Sequence, residues 1–437
     1  MAFSRYRAVL ANPAYRRFWL GFTFSAFGDA ITRVALTWFV YEQTRSPEAL
    51  GWLMACYTGP VVGGGLLAGW LLDRFDRRQV MAVDNALRGL AMLLIPLLNA
   101  TGHLALWHLY AAAAIYGFLM MISLAGGPAL IPALVARDQL QAANALEMLS
   151  FTIGGVAGPV AAAALITTIG ALNAVLIDAL SYFLFAWALL AARPAADERP
   201  EAGTGAAAQQ GFGPALKLLL TNPVLLSTTA MYLILNIGGG AVSVWLPILA
   251  NTQLAPQWRA AAGTASGAEV YSFLLSAWAL GEVVSVVTAG ERAFRLPLGT
   301  LICLAQGLSG AAVALVLAGP TLIMAVAALT LFGAATAPLT IWAQTLRMEI
   351  IPEPLRGRTF ALLRLLMQSG GPLGGLAAGW LLPSLGLPAM VALSALGGGL
   401  PGLLGFRVKA LRAAGGPAPL VPGADPSPAE AAPSAEA

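Results

Sequence analysis

Charge is what this chain lacks most. Of its 437 residues only 10% are charged, against 58% hydrophobic. A soluble domain carries about 25% charged residues. A chain this long and this poor in charge cannot cover a globular surface with polar groups, and its mean hydropathy of +0.77 agrees. Cysteine and histidine are scarce too, at two each. Cys56 and Cys303 stand far apart inside apolar runs. They offer neither a disulfide framework nor a metal spacing, and read as small buried hydrophobes. "GGVAGP" at 154–159 lacks the Lys-Ser/Thr ending of a phosphate-binding loop. No metal cluster and no nucleophile constellation appears, so neither a cofactor nor catalysis is expected. "MAFSRYRAVLANPAYRRFW" lacks the pattern of a signal peptide, so the first apolar span is expected to be retained. The net charge of +4 is slight, and the arginines flank apolar runs. That points to a membrane surface and not to nucleic acid.

What the chain has instead is long apolar runs, which suit helices and not barrel strands. Backbone polar groups inside lipid must be satisfied within the span, so all-α structure is expected. Twelve spans are expected near 17–41, 48–72, 79–100, 104–135, 142–168, 171–192, 223–250, 268–290, 297–318, 320–346, 358–383 and 386–407. With the N-terminus cytoplasmic, nineteen Lys and Arg residues fall on cytoplasmic segments and only Arg45 and Arg259 on the outer ones. This positive-inside bias places both termini in the cytoplasm of a plasma (inner) membrane protein.

Features recur across the chain. "NPAYRRF" precedes the first span and "NPVLLS" the seventh; "GGVAGPVAAA" in span 5 is echoed by "SGGPLGGLAAG" in span 11. Two six-helix bundles are expected, 1–192 and 216–412, joined by a polar linker at 193–215 and followed by a disordered tail at 413–437. A duplicated bundle around a central site is the layout of a carrier that rocks between two access states.

Charge inside the spans is costly unless paired or facing water. Asp29 and Arg33 sit four residues apart on one face of span 1. A carboxylate in an apolar setting can exchange protons near neutral pH, which makes Asp29 the leading proton-coupling candidate; a static Asp29–Arg33 ion pair is the alternative. Asp178 in span 6 and Glu282 in span 8 are further candidates, or structural hydrogen-bonding groups. Glu147 and Glu269, near span ends, are expected to be solvated. Gly154 and Gly158 make a small-residue face in span 5, and Pro159 removes a backbone donor. Gly371 and Pro372 repeat the kink in span 11.

"GWLLDRFDRR" at 69–78 resembles the loop 2–3 signature of the major facilitator superfamily, roughly G-x-L-x-D-R-x-G-R-R. Gly69, Asp73, Arg74, Arg77 and Arg78 match; Asp76 replaces a glycine. Span 5 is similar to the drug–proton antiporter signature, with alanines at 162 and 163 where glycines are common. "DNALRGL", "QAANAL" and "IDALSYF" resemble the branch of macrolide-efflux and enterobactin-exporter proteins. The resemblance covers about residues 10–410. It implies the major facilitator fold and a secondary transporter acting as a monomer.

The loop reads as a gating latch, or as a topology determinant only. Gly69 would allow close helix approach. Asp73 would accept hydrogen bonds at a helix start, which in the family is that of span 11, and the arginines would meet acids or lipid phosphates. Asp84 and Arg88, also at i and i+4, are expected to join the latch. The resemblance implies a substrate cavity lined by spans 1, 4, 7 and 10. These contribute Phe24, Phe27, Tyr116, Met120, Tyr232, Asn236, Thr336, Thr340 and Gln344. Aromatic and Met side chains suit bulky amphipathic small molecules. With no nucleotide loop, proton-coupled efflux is the expected activity. A lipid or metabolite facilitator, or a non-transporting receptor, are the alternatives.

Overall fold

The computed structural model describes residues 2–136, 139–192, 213–262, 266–291, 296–352 and 355–415. Among them the secondary structure is helical, without a strand. The first half runs α1 (Ala2–Ala11), α2 (Pro13–Thr44), α3 (Pro47–Thr58), α4 (Val61–Arg74), α5 (Arg77–Ala100), α6 (Leu106–Leu134), α7 (Leu140–Ile169) and α8 (Ala171–Ala191). The second runs α9 (Gly213–Thr221), α10 (Pro223–Leu249), α11 (Ala255–Ala262), α12 (Gly267–Glu291), α13 (Leu298–Ala318), α14 (Leu322–Ile350), α15 (Arg356–Gln368), α16 (Gly370–Gly405) and α17 (Lys409–Ala413). The expected linker, over residues 193–212, and the expected tail, from 416, lie outside the described residues.

Ten helical stretches are long and apolar enough to cross a membrane. The 32-residue α2 is an eleventh by length, made less apolar by Arg16, Arg17, Asp29 and Arg33. The 36-residue α16 supplies two crossings, because Gly386, at φ 78°, turns the chain inside it. That left-handed conformation favours glycine. The result is twelve spans in a multi-pass membrane protein. Span 1 is α2, span 2 is α3 with α4, and spans 3 to 6 are α5 to α8. Spans 7 to 10 are α10, α12, α13 and α14; span 11 is α15 with the first part of α16, and span 12 is the rest of α16.

The echo between "NPAYRRF" and "NPVLLS" is a repeated helix start. Asn12 Oδ1 accepts the N–H groups of Ala14 (2.9 Å) and Tyr15 (3.4 Å), and Pro13 fills the first helical position. Asn222 Oδ1 accepts those of Val224 (3.0 Å) and Leu225 (3.1 Å) ahead of Pro223. Proline loses nothing there, since its missing N–H would have been an orphan. Asp76 does the same for α5, accepting from Arg78 N (2.9 Å) and Gln79 N (3.2 Å). That gives the departure from glycine in "DRFDRR" a physical reason.

In the first bundle α2 packs on α7 and α8, and α5 on α6 and α8. In the second, α16 packs on α10 and α13, and α14 on α12 and α13. The bundles meet along two seams, span 2 on span 11 and span 5 on span 8. The first seam brings backbone close to backbone, with Trp52 against Trp380 beside it, ring centroids 6.5 Å apart. A Cβ on Gly51 would stand 2.7 Å from the Gly375 carbonyl oxygen, and one on Gly379 3.0 Å from the Pro47 carbonyl oxygen. The second seam carries Ser276 Oγ donating to the Val156 carbonyl at 3.2 Å. Asn251 Nδ2 donates to Tyr41 Oη at 3.3 Å above both. These contacts lie from mid-depth to the end away from the "DRFDRR" loop. At the loop end, which we term the basic end, α4 and α15 barely touch. Among the described residues the halves are thus pinched at the far end and parted at the basic end.

Candidate functional site

A polar core crosses the first bundle. On α5, Arg88 grips Asp84 with two hydrogen bonds, Nε to Oδ1 at 3.0 Å and Nη2 to Oδ2 at 2.8 Å. Arg88 Nη2 also donates to Ser123 Oγ at 2.9 Å, and Ser123 donates to Asp84 Oδ2 at 2.5 Å. Asp84 and Arg88 are only 1% and 2% exposed. The Arg88 guanidinium lies over the Tyr182 ring, 4.6 Å from its centroid, and 5.7 Å from that of Tyr116. Tyr182 on α8 donates its hydroxyl hydrogen bond to Asp29 on α2. Asp178, one turn before Tyr182, is fully buried. Its Oδ1 accepts from Ser181 at 3.3 Å, and its Oδ2 has no hydrogen-bond partner. Gly28 of α2 leaves the space for it: a Cβ there would stand 2.5 Å from Asp178 Oδ1. Asp84 and Asp178 are thus buried and Asp29 half-buried around one arginine: Arg88 binds Asp84 directly and reaches Asp29 through the Tyr182 ring, while Asp178 lies one turn away, bonded only to Ser181.

Between the halves lies a cavity of about 310 Å³. It is lined by Met54 and Thr58 of α3, Tyr232, Asn236 and Ser243 of α10, Trp278 and Glu282 of α12, Phe332 and Thr336 of α14, and Gly371 of α16. Glu282 Oε1 accepts from Trp278 Nε1 at 3.0 Å. Asn236 Nδ2 donates to the Met367 carbonyl at 3.1 Å, beside the break in span 11. Tyr232 and Thr340 hydrogen-bond to each other.

Several expected residues meet here: Tyr232, Asn236, Thr336, Glu282 and Gly371 line one cavity. Thr340 and Gln344 continue the Thr336 stripe at four-residue intervals along α14, both exposed. The lining differs from the expected spans 1, 4, 7 and 10, because spans 2, 8 and 11 reach the cavity and spans 1 and 4 do not. Tyr116 is 6% exposed and stacks on Tyr57 with ring centroids 4.4 Å apart, so it belongs to the first bundle's interior. Met120 is half-buried against the core, Phe27 is half-buried, and Phe24 is exposed.

The Asp29–Arg33 pair is not formed. Among the described residues the ion pairs are Arg88–Asp84 and Arg78–Asp76, and Asp29 takes Tyr182 as its partner. Asp84 and Arg88 do not join the loop either. They sit two to three turns inside α5, roughly 10 to 17 Å from its start at 1.5 Å per residue. The loop's own arginines hold their own bundle. Arg77 donates to the Ala129 carbonyl (2.8 Å) and Arg78 to that of Ala192 (3.0 Å), while Arg74 lies over Trp70 (5.7 Å). The Asp73 side chain lies outside the described residues. A Cβ on Gly69 would meet nothing within 4 Å, so the close approach expected of that glycine is absent.

Gly154 and Gly158 do pack span 5 on span 1: added Cβ atoms would stand 2.7 Å from the Ala26 carbonyl oxygen and 2.5 Å from Ala30 Cβ. α7 runs unbroken through Pro159, whereas span 11 breaks at Ser369. Pro372 cannot donate to the Gln368 carbonyl and its ring crowds it, which ends α15 there. Gly371 and Pro372 therefore sit in the first turn of α16, just past the break.

Three charged residues are placed where their sequence position did not suggest. Glu147 is 5% exposed, not solvated, because its turn of α7 faces Gly127 of α6, where a Cβ would stand 2.5 Å from its Oε1. Arg347 is buried over the Tyr232 ring at 5.5 Å and donates to the Thr228 carbonyl at 3.3 Å. Glu269 caps α12, accepting from Ser266 N at 2.7 Å. The Ser-x-x-Glu spacing at 266–269 was the signal for that cap.

A family model described as Major Facilitator Superfamily matches residues 18–268, more than half of the chain. The chain is 27% identical over 375 residues to the enterobactin exporter EntS of Shigella boydii serotype 18, covering 85% of each. It is 26% identical over 377 residues to the enterobactin exporter EntS of Escherichia coli O1:K1, again with 85% of each covered. Among solved structures it is similar to the nucleoside transporter NupG, with TM-score 0.68 and 14% identity, covering 91% of this chain and 98% of that one. It is also similar to an inward-facing bacterial homologue of the human lysosomal transporter Spinster, with TM-score 0.58 and 17% identity, covering 91% and 96%. With the twelve spans, the two bundles and the cavity between them, these matches place the chain in the major facilitator superfamily, as a membrane transporter.

Proposed function

We propose that the protein is a proton-coupled exporter of amphipathic small molecules, working as a monomer with its basic end in the cytoplasm. The carrying observation is the acid set of the first bundle. Asp84 is matched by Arg88, which leaves Asp29 and Asp178 on facing helices with only Arg33 to balance them. One proton shared between those two carboxyls makes the set neutral, and its loss leaves an uncompensated charge within the spans. Tyr182, bonded to Asp29 and lying under Arg88, passes that change to α5 and α8. The parted basic end gives substrate a way in from the cytoplasm, and the glycine seams close the far side. Export agrees with the relatives named enterobactin exporters, and the arginine bias supports the orientation.

The test is gradient-driven transport of a lipophilic fluorescent dye in proteoliposomes. Asp29→Asn and Asp178→Asn should each lose most of the transport that depends on the pH gradient, while keeping downhill exchange of the dye. Undiminished gradient-driven transport in both variants across the pH range would sink the proposal.

A further inference from the structure

Arg33 offsets the acids of the first bundle as a charge, yet makes no ion pair with them among the described residues. It sits past the middle of α2, five residues before Trp38, whose ring packs where a Cβ on Gly267 would stand 2.5 Å from it. Trp38 belongs to the far-end closure, so Arg33 lies just beneath it. Its side chain is exposed. That exposure is not to lipid, because its charge neighbours come from three other helices. They are Tyr57 of α3, Tyr116 of α6 and Tyr271 of α12, with Asp29 on its own helix. Tyr271 belongs to the opposite bundle, and Glu282, also on α12, is within electrostatic reach. Arg33 therefore stands in the cleft between the halves, above the cavity at Met54 and Thr58. Its natural partner, Asp29, is turned to Tyr182, and no ion pair to Arg33 is present among the described residues.

A second, independent feature lies beside it. The Tyr57 hydroxyl is buried and has no hydrogen-bond partner. Tyr57 is 7% exposed, and its ring packs against that of Tyr116, tilted by 36°. A buried hydroxyl without a partner is costly. The Arg33 guanidinium and the Tyr57 hydroxyl, within electrostatic reach of each other, both have donors to spare. A planar oxyanion satisfies both, since a carboxylate takes two parallel bonds from arginine and has lone pairs to spare for the phenol. Glu282, on the other side of the cleft, repels an anion and so fixes which way round the ligand lies.

We infer that Arg33 and Tyr57 form an anion subsite at the head of the cleft, which selects amphipathic substrates carrying one organic oxyanion. The aromatic or apolar body of such a ligand lies against Trp278 and Phe332, and any donor group points to Glu282. This rests on the reading of the cleft as the substrate path, but not on Asp29 or Asp178 as the proton carrier.

The experiment measures binding of 1-naphthoate and its uncharged analogue 1-naphthamide to the purified full-length protein, by tryptophan fluorescence. The natural protein should prefer the carboxylate by about tenfold or more, the size of a charge-assisted pair. Arg33→Gln should remove the preference while leaving naphthamide affinity unchanged. Arg33→Lys should keep part of it, because the charge stays and the two-pronged geometry goes. Tyr57→Phe should lower naphthoate affinity several-fold and leave naphthamide alone. Equal affinity of the natural protein for both probes overturns the inference. So does an Arg33→Gln variant that keeps the preference, or one that loses both ligands together with its unfolding midpoint. Asp29→Asn separates the two readings: it should keep the naphthoate preference, and if its gradient-driven dye export is undiminished the proton proposal falls while the subsite stands.

Discussion

The two bundles repeat the same helices and fill them differently. Asn85 and Arg88 are the ninth and twelfth residues of α5, and Gln306 and Ser309 are the ninth and twelfth of α13. In the first bundle this register holds a buried ion pair, a cation over an aromatic ring and a path to Asp29. In the second it holds neutral bonds, Gln306 Nε2 to the Met231 carbonyl at 3.2 Å and Ser309 Oγ to the Gln306 carbonyl at 2.8 Å. Beside them glycine meets glycine, with a Cβ on Gly398 standing 3.2 Å from Gly310 Cα. At this register one bundle is built around charge and the other around packing. Under the proton-coupled reading proposed above, a change of protonation would strain the first bundle, and the second would offer a stiff partner to move against.

The sharpest test of this contrast is at the paired register. Arg88→Leu strands Asp84 in the bundle and should cost about 3–5 kcal/mol. Gln306→Leu removes one neutral bond and should cost about 1 kcal/mol. Thermal unfolding in detergent reads both, and equal losses would erase the distinction between the halves. The next effect should ignore it. Gly154→Ala pushes a Cβ toward the Ala26 carbonyl in one bundle, and Gly374→Ala does the same toward the Ile237 carbonyl in the other. Each should cost about 1–3 kcal/mol by overpacking. Gly69→Ala meets nothing and should instead stabilise α4 by up to about 1 kcal/mol. The smallest effect is at the repeated helix starts. Asn12→Ala and Asn222→Ala should each cost about 1 kcal/mol, and clearly unequal values would show that the duplicated motif has diverged in role.

The fold was legible because lipid imposes it. Apolar runs of span length leave no alternative to helices, and the Asn-Pro starts announced themselves twice. The site was legible only where a residue's own helix decides the matter. Asp29 had to find a partner, since a carboxylate in a span cannot stay alone. That the partner is Tyr182 and not Arg33 depends on how α2 meets α8. Periodicity gives the face a residue occupies but not the helix across from it. Asp84 and Arg88 were drawn to the "DRFDRR" loop by nearness in sequence, yet two turns of helix carried them into the bundle. Tyr116 went the other way, from expected cavity wall to interior. Tyr232, Asn236 and Thr336 come together at one cavity because they share faces that follow from helical spacing.

The seam between span 2 and span 11 has a consequence of its own. Gly51, Gly375 and Gly379 bring main chain against main chain, with no ion pair among the described residues there. Such a contact draws on short-range dispersion, which fades within an ångström of separation. It behaves as a snap and not as a tether: firm while shut, and giving almost no pull once parted. A closure of this kind is indifferent to salt and has no stable half-open position. If the protein exports as proposed, release at the far end would be an all-or-none event, timed by the charged bundle and executed by glycine.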